Sequence, residues 1–200
     1  MASKQLPAKV EAAQHKIAGV ILDLVGRIPK SGKRASTTPR HAARSVANGA
    51  ASKAAMISGG LALPPGALGW LTVLPDIYAI WKLQSQMVSD IAAVYGKTAT
   101  LTREQMLYCL FRHAASQAVR DLVVRAGNRY IVHRTTLRAL ETAARKIGVK
   151  VTERTLGSAA ARWIPLVGAV GVGAYAYYDT AQVARTAIEL FSGEIEVREE

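Results

Sequence analysis

The chain has 200 residues, half of them apolar, which is enough for one domain with a real core. Lysine and arginine number 26 against 14 aspartates and glutamates, so the formal charge of +12 calls for an anionic partner, either a phosphate backbone or anionic lipid headgroups. The single cysteine, Cys109, excludes an intrachain disulfide and a multi-cysteine metal site, and the opening MASKQLPAKVEAAQHK lacks the apolar run of a secretory signal, so a cytoplasmic chain is expected.

Val10, Ile17, Val20, Ile21, Leu24, Val25 and Ile28 fall at helical spacing and predict an amphipathic helix over residues 1–28. The stretch PKSGKRASTTPRHAARS has two prolines, a glycine and no apolar period, and predicts a flexible basic linker over 29–44. No acidic residue stands between Asp23 and Asp76, whereas Arg27, Lys30, Lys33, Arg34, Arg40 and Arg44 all do, which makes these six the candidate lipid- or anion-binding residues.

Ala54 to Pro75 is a run of 22 uncharged residues interrupted by glycines and by Pro64, Pro65 and Gly66. A turn at the prolines predicts an apolar helical hairpin in place of one straight span. Residues 76–95 carry Ile77, Ile80, Trp81, Gln84, Met87, Val88, Ile91 and Tyr95 on one face, with Pro75 suited to a first helical turn and Gly96 to a helix end. The capping-box spacing of Thr102 and Gln105 predicts a further helix to about Ala126, with Gly127-Asn128 ending it. Residues 128–147 read as surface helices with a basic face of Arg129, Arg134, Arg138, Arg145 and Lys146.

The run WIPLVGAVGVGAYAYY, residues 163–178, is again uncharged, contains Pro165 and Gly168, and leads through Asp179 into a last helix and an acidic tail over 193–200. Aligning Asp76 with Asp179 gives a weak internal repeat: an apolar Gly/Pro segment, an aspartate, then an amphipathic helix. Trp70 and Trp163 adjoin the two apolar runs, and their rings suit either a headgroup interface or a core.

The order of PPGALGWLTVLPDIYAIWKLQSQMVSDIAAVYG, a basic middle, and WIPLVGAVGVGAYAYYDTAQVARTAIELF resembles the EcsC family of bacterial proteins, and a related hydrophobic helical domain found beside Era-like small GTPases, over residues 45–192. The resemblance rests on Pro65-Gly66, Pro75-Asp76, Gln84, Gln86, Ile91-Ala92, Tyr95-Gly96, Ile164-Pro165 and Gly168-Ala169. It implies an all-α, membrane-associated protein linked with an ABC exporter and protein secretion, and it supplies no reaction. Asp179 departs from the neutral amide expected there in many relatives.

Catalytic chemistry finds little support in the residues. The histidines are His15, His41, His113 and His133, with no G-x-S-x-G nucleophile motif, and no pair stands at metal-ligand spacing. GAVGVGAYA lacks the strand and spacing of a dinucleotide loop. Asp76 and Asp179 read first as helix N-caps, second as members of a polar pair inside the bundle with Arg162 or Lys82. The expectation is therefore a non-enzymatic, all-α single helical bundle without metal or cofactor, with two Gly/Pro-interrupted apolar hairpins at Pro64, Pro65, Gly66 and Trp70, and at Trp163, Pro165 and Gly168. It binds anionic membrane lipid at the inner face of the membrane. Two other readings stay open: docking of a protein partner such as a transporter subunit or small GTPase, and binding of nucleic acid.

Overall fold

The computed structural model describes residues 8–60, 69–158 and 165–199, with side chains over 10–58, 77–153 and 171–198. Six helices make up most of it: α1 (Ala8–Gly26), α2 (Pro39–Gly60), α3 (Gly69–Val94), α4 (Arg103–Val119), α5 (Leu137–Ser158) and α6 (Pro165–Ser192). A small sheet joins β1 (Val123–Ala126), β2 (Arg129–Arg134) and β3 (Glu194–Glu199). The all-α helical class holds, with this sheet as its one addition.

The centre is a three-helix layer of α2, α3 and α6. Ala43, Ala47, Ala50, Ala51 and Ala54 form the buried stripe of α2, and Ala184 and Ala187 are buried on α6. Side chains this small let helix backbones approach closely, so dispersion contacts replace the bulk that larger residues would supply. On the other side, α1 lies on α5 and α5 on α4. Ile17, Ile21, Leu24 and Val25 of α1 are almost wholly buried, which makes the first helix part of the core and not an appended arm. The α1–α5 crossing is tight at Gly148, where a Cβ would stand 2.9 Å from the Gln14 carbonyl oxygen. Gly148→Ala is expected to cost about 1–3 kcal/mol in urea unfolding, because the obstacle is backbone that cannot swing aside.

Three expectations are corrected here. Residues 29–38 are not a flexible linker: Ser31 Oγ donates to Asp90 Oδ1 (2.6 Å), Gln86 Nε2 donates to the Lys30 carbonyl (3.2 Å), and the Ser36 amide donates to the Val94 carbonyl (3.0 Å). Lacking apolar period, the segment is tied to α3 by hydrogen bonds instead of packing, and residues 39–44 already belong to α2.

The helix starting after Thr102 has the predicted capping box, with the Gln105 amide donating to Thr102 Oγ1 and the Thr102 amide to Gln105 Oε1, but it ends at Val119. Residues 123–134 then form an antiparallel hairpin in which Ala126 faces Arg129 across a two-residue Gly127-Asn128 loop. Gly127 has φ +64° and no non-glycine residue has positive φ, the pattern of a type II′ hairpin turn. Tyr130 and Val132 are buried while Arg129 and Arg134 are exposed, a period of two where a helical one was read. The acidic tail is likewise ordered as β3, parallel to β2, with Ile195 opposite Tyr130 and Val197 opposite Val132.

Candidate functional site: one apolar end and a polar cluster at its base

Helix directions decide which residues share an end. The start of α2 lies beside the end of α3 through the Ser36 to Val94 bond, so the two helices run antiparallel. Gln84 of α3 meets Asp179 of α6, and Lys97, just past α3, donates to the Gly193 carbonyl just past α6, so these two run parallel. The end of α2 and the starts of α3 and α6 therefore point the same way. All the uncharged runs converge there, Ala54–Gly60 on α2, Gly69–Pro75 on α3 and Pro165–Tyr178 on α6.

Around this end stand most of the exposed large apolar and aromatic side chains of the described helices: Met56 (71 %) and Ile57 on α2, Tyr78 on α3, and Tyr175, Tyr177 and Tyr178 (62 %) on α6, with Leu137 of α5 (63 %) the exception. Water-exposed side chains of this size in one zone mark a candidate interaction surface. From Tyr78 back to Gly69 is about 14 Å of helix, and from Tyr178 back to Pro165 about 20 Å, at 1.5 Å per residue. That reach compares with one leaflet of hydrocarbon, about 15 Å. Among the described residues, no helix is long and apolar enough to cross a membrane.

Directly below the tyrosines lies a polar cluster. His113 Nε2 donates to Asp179 Oδ1 (2.7 Å), and Gln84 Nε2 donates to Asp179 Oδ2 (2.8 Å) and to Thr180 Oγ1 (3.1 Å). Gln84 and Thr180 are fully buried, while the His113 and Asp179 side chains keep 17 % and 19 % exposure. Both carboxylate oxygens thus have a donor, which is how an aspartate follows directly on the uncharged run inside a helix bundle. His113 Nδ1 and Gln84 Oε1 are buried with no partner among the described residues. α4 loses helical geometry at Ala115 (φ −144°, ψ 51°), two residues beyond His113.

Asp179 is therefore a polar partner in the middle of α6, and its partners are Gln84 and His113 in place of Lys82, while Arg162 lies outside the described residues; a cap would need a helix start, and α6 begins fourteen residues earlier at Pro165. Asp76 also lies inside its helix, since α3 starts at Gly69. The N-cap reading is corrected for both: the helices continue through Pro75 and Tyr178 into the apolar runs. Pro165 opens α6, Gly168 sits within its first turn and Trp70 in the first turn of α3; Pro64, Pro65, Gly66 and Trp163 lie outside the described residues. His133, on β2, does not join His113.

The six cations singled out in the sequence lie elsewhere. Lys30, Lys33 and Arg34 sit on the segment that follows α3 from the level of Gln86 to that of Val94, about 12–24 Å of helix below Tyr78. Arg40 and Arg44 are in the first turns of α2, at the far end from Met56, and Arg27 is paired with Asp23 (2.9 Å). Among the described side chains, the cations nearest the apolar end on α2 and α3 are Lys53 and Lys82, both exposed, each about one turn below the collar on its own helix.

Cys109 stands one turn before His113 on α4, fully buried, and burial pushes its thiol far above the ordinary range, with only partial relief from Arg112. A thiol held protonated and out of water is a poor nucleophile. Cys109 is expected to react with a maleimide no faster than the whole domain unfolds, checked by labelling across a urea series.

A model of the EcsC protein family matches residues 36–192. No curated protein and no solved structure matches the chain. The match starts at Ser36, near the end of the ordered segment along α3, and ends with the last residue of α6, so it takes in the apolar end and the polar cluster and leaves out α1.

Proposed function

The chain belongs to the EcsC protein family, and from that premise we propose that it is a non-enzymatic, peripheral membrane protein that enters one leaflet of the cytoplasmic membrane with the apolar end of its bundle. The observation that carries this reading is the convergence of three uncharged helix ends behind an exposed collar of Met56, Ile57, Tyr78, Tyr177 and Tyr178. Tyrosine rings favour the headgroup level, where the hydroxyl stays wet and the ring does not. Lys53 and Lys82 are placed to meet anionic headgroups just outside the hydrocarbon, each contributing on the order of 1 kcal/mol. The process it serves is the membrane- and secretion-linked one that the family resemblance implies.

The test is co-sedimentation of detergent-free protein with neutral and with anionic vesicles, at low and high salt, with nucleic acid present as competitor. Binding to both vesicle types, stronger on anionic ones and only partly reversed by salt, is the expected result. No vesicle binding would overturn the reading and assign the apolar end to a protein partner; loss of binding to the nucleic-acid competitor would point to the charge as a nucleic-acid surface.

A further inference from the structure

With the apolar end in lipid, the outer groove between α2 and α6 runs from the water side toward the membrane. It is open to solvent, holds about 410 Å³, and is lined in part by Asn48, Ile188 and Ser192. Its floor is Ala47 and Ala51 of α2 with Ala181 and Ala184 of α6. Its charged rim is Arg40 and Arg44 on α2 and Arg185 on α6. The helices are antiparallel, so on α2 the two arginines occupy the end away from the membrane and the alanine floor continues toward it from Ala47 to Ala51, about 6 Å.

The carboxylate in this groove is already committed. Glu189 accepts from Arg112 at 2.9 Å and lies at the limit of ion-pair distance, 4.0 Å, from Arg185. Arg40 and Arg44 have no acidic partner among the described residues. Exposed guanidiniums beside a floor of alanines suit an anionic head on a single alkyl chain. Guanidinium forks suit carboxylate and phosphate oxygens alike, and the methyl groups of the alanine floor offer an alkyl chain an apolar contact.

We infer that the α2–α6 groove binds a single-chain anionic amphiphile, its head held by Arg40, Arg44 and Arg185 and its chain lying over the alanine floor toward the membrane end. This goes beyond membrane attachment, because it gives the protein a lipid-like ligand of its own.

Calorimetric titration of the full chain, below micelle-forming concentrations, tests it with dodecanoate and dodecyl phosphate as probes, and with dodecyl maltoside and inorganic phosphate as controls. One-to-one binding of the anionic alkyl probes is expected, at least tenfold weaker in Arg44→Gln/Arg185→Gln; the better of the two names the head. Both arginines are exposed, so the double variant is expected to fold as the parent does, which a thermal melt checks. Unchanged binding in the double variant, or equally tight binding of either control, overturns the inference. Met56→Glu/Tyr178→Glu, which disables the membrane contact alone, should still bind the probes, so the two proposals fail separately.

Discussion

Met56→Glu combined with Tyr178→Glu is expected to weaken vesicle partitioning by at least about 100-fold. Each parent side chain would gain about 1.5–3 kcal/mol on leaving water, and together they reach the roughly 3 kcal/mol that such a factor requires before the cost of a charge near lipid is added. At 71 % and 62 % exposure neither is needed by the fold, so unfolding free energy should move by less than about 0.5 kcal/mol. Charge reversal sharpens the geometry. Lys53→Glu with Lys82→Glu should reduce binding to anionic vesicles roughly tenfold or more and leave neutral vesicles little changed. Reversing Lys30, Lys33, Arg34 and Arg40 should do much less, because those residues start about 12 Å below the collar and the Debye length at physiological salt is about 8 Å. If the second set released the protein and the first did not, the membrane would lie against the basic flank and the apolar end would be free.

That contrast also marks what was legible in the chain. The uncharged runs at 54–75 and 163–178 are visible as composition, but they read as hairpins ahead of helices starting at Asp76 and Asp179, whereas α3 starts at Gly69 and α6 at Pro165. Their convergence is not visible, because it depends on α3 and α6 running parallel, a relation set by Gln84, Asp179, Lys97 and Gly193 from opposite ends of the sequence. The basic stretch was visible as charge but misread as flexible, since its order comes from hydrogen bonds to Asp90, Gln86 and Val94 sixty residues away. The hairpin at 123–134 carried its own signal: a Gly-Asn pair followed by a segment, Arg129–Arg134, whose burial alternates. The arginines, read as one face of a helix, hid that alternation. His113 and Gln84 each stood in a helical stripe, and only the fold makes them partners of one carboxylate.

Asp179→Ala is expected to be the most costly single change in this region, about 3 kcal/mol, or a fall of roughly 6–12 °C in melting temperature. It removes the acceptor of two hydrogen bonds at once. Gln84 keeps Thr180, but His113 would then have neither ring nitrogen bonded, its Nδ1 being unpartnered already. The residual exposure of His113 and Asp179 lets water recover part of the loss, which is why the figure sits below that for breaking a fully buried ion pair. Asp179→Asn, which retains one acceptor oxygen, should cost about 1 kcal/mol. Adding His113→Phe to Asp179→Ala should restore part of the stability, since the stranded donor disappears with the acceptor; the non-additivity is measured as a double-mutant cycle in urea. Additive costs would mean that the two side chains do not act as a pair. The cluster joins α3, α4 and α6 at the level where the apolar runs begin, so its bonds fix how the helix ends above it are aligned. Asp179→Asn should then leave vesicle binding within about twofold, while Asp179→Ala loosens the apolar end and weakens binding in step with its loss of stability.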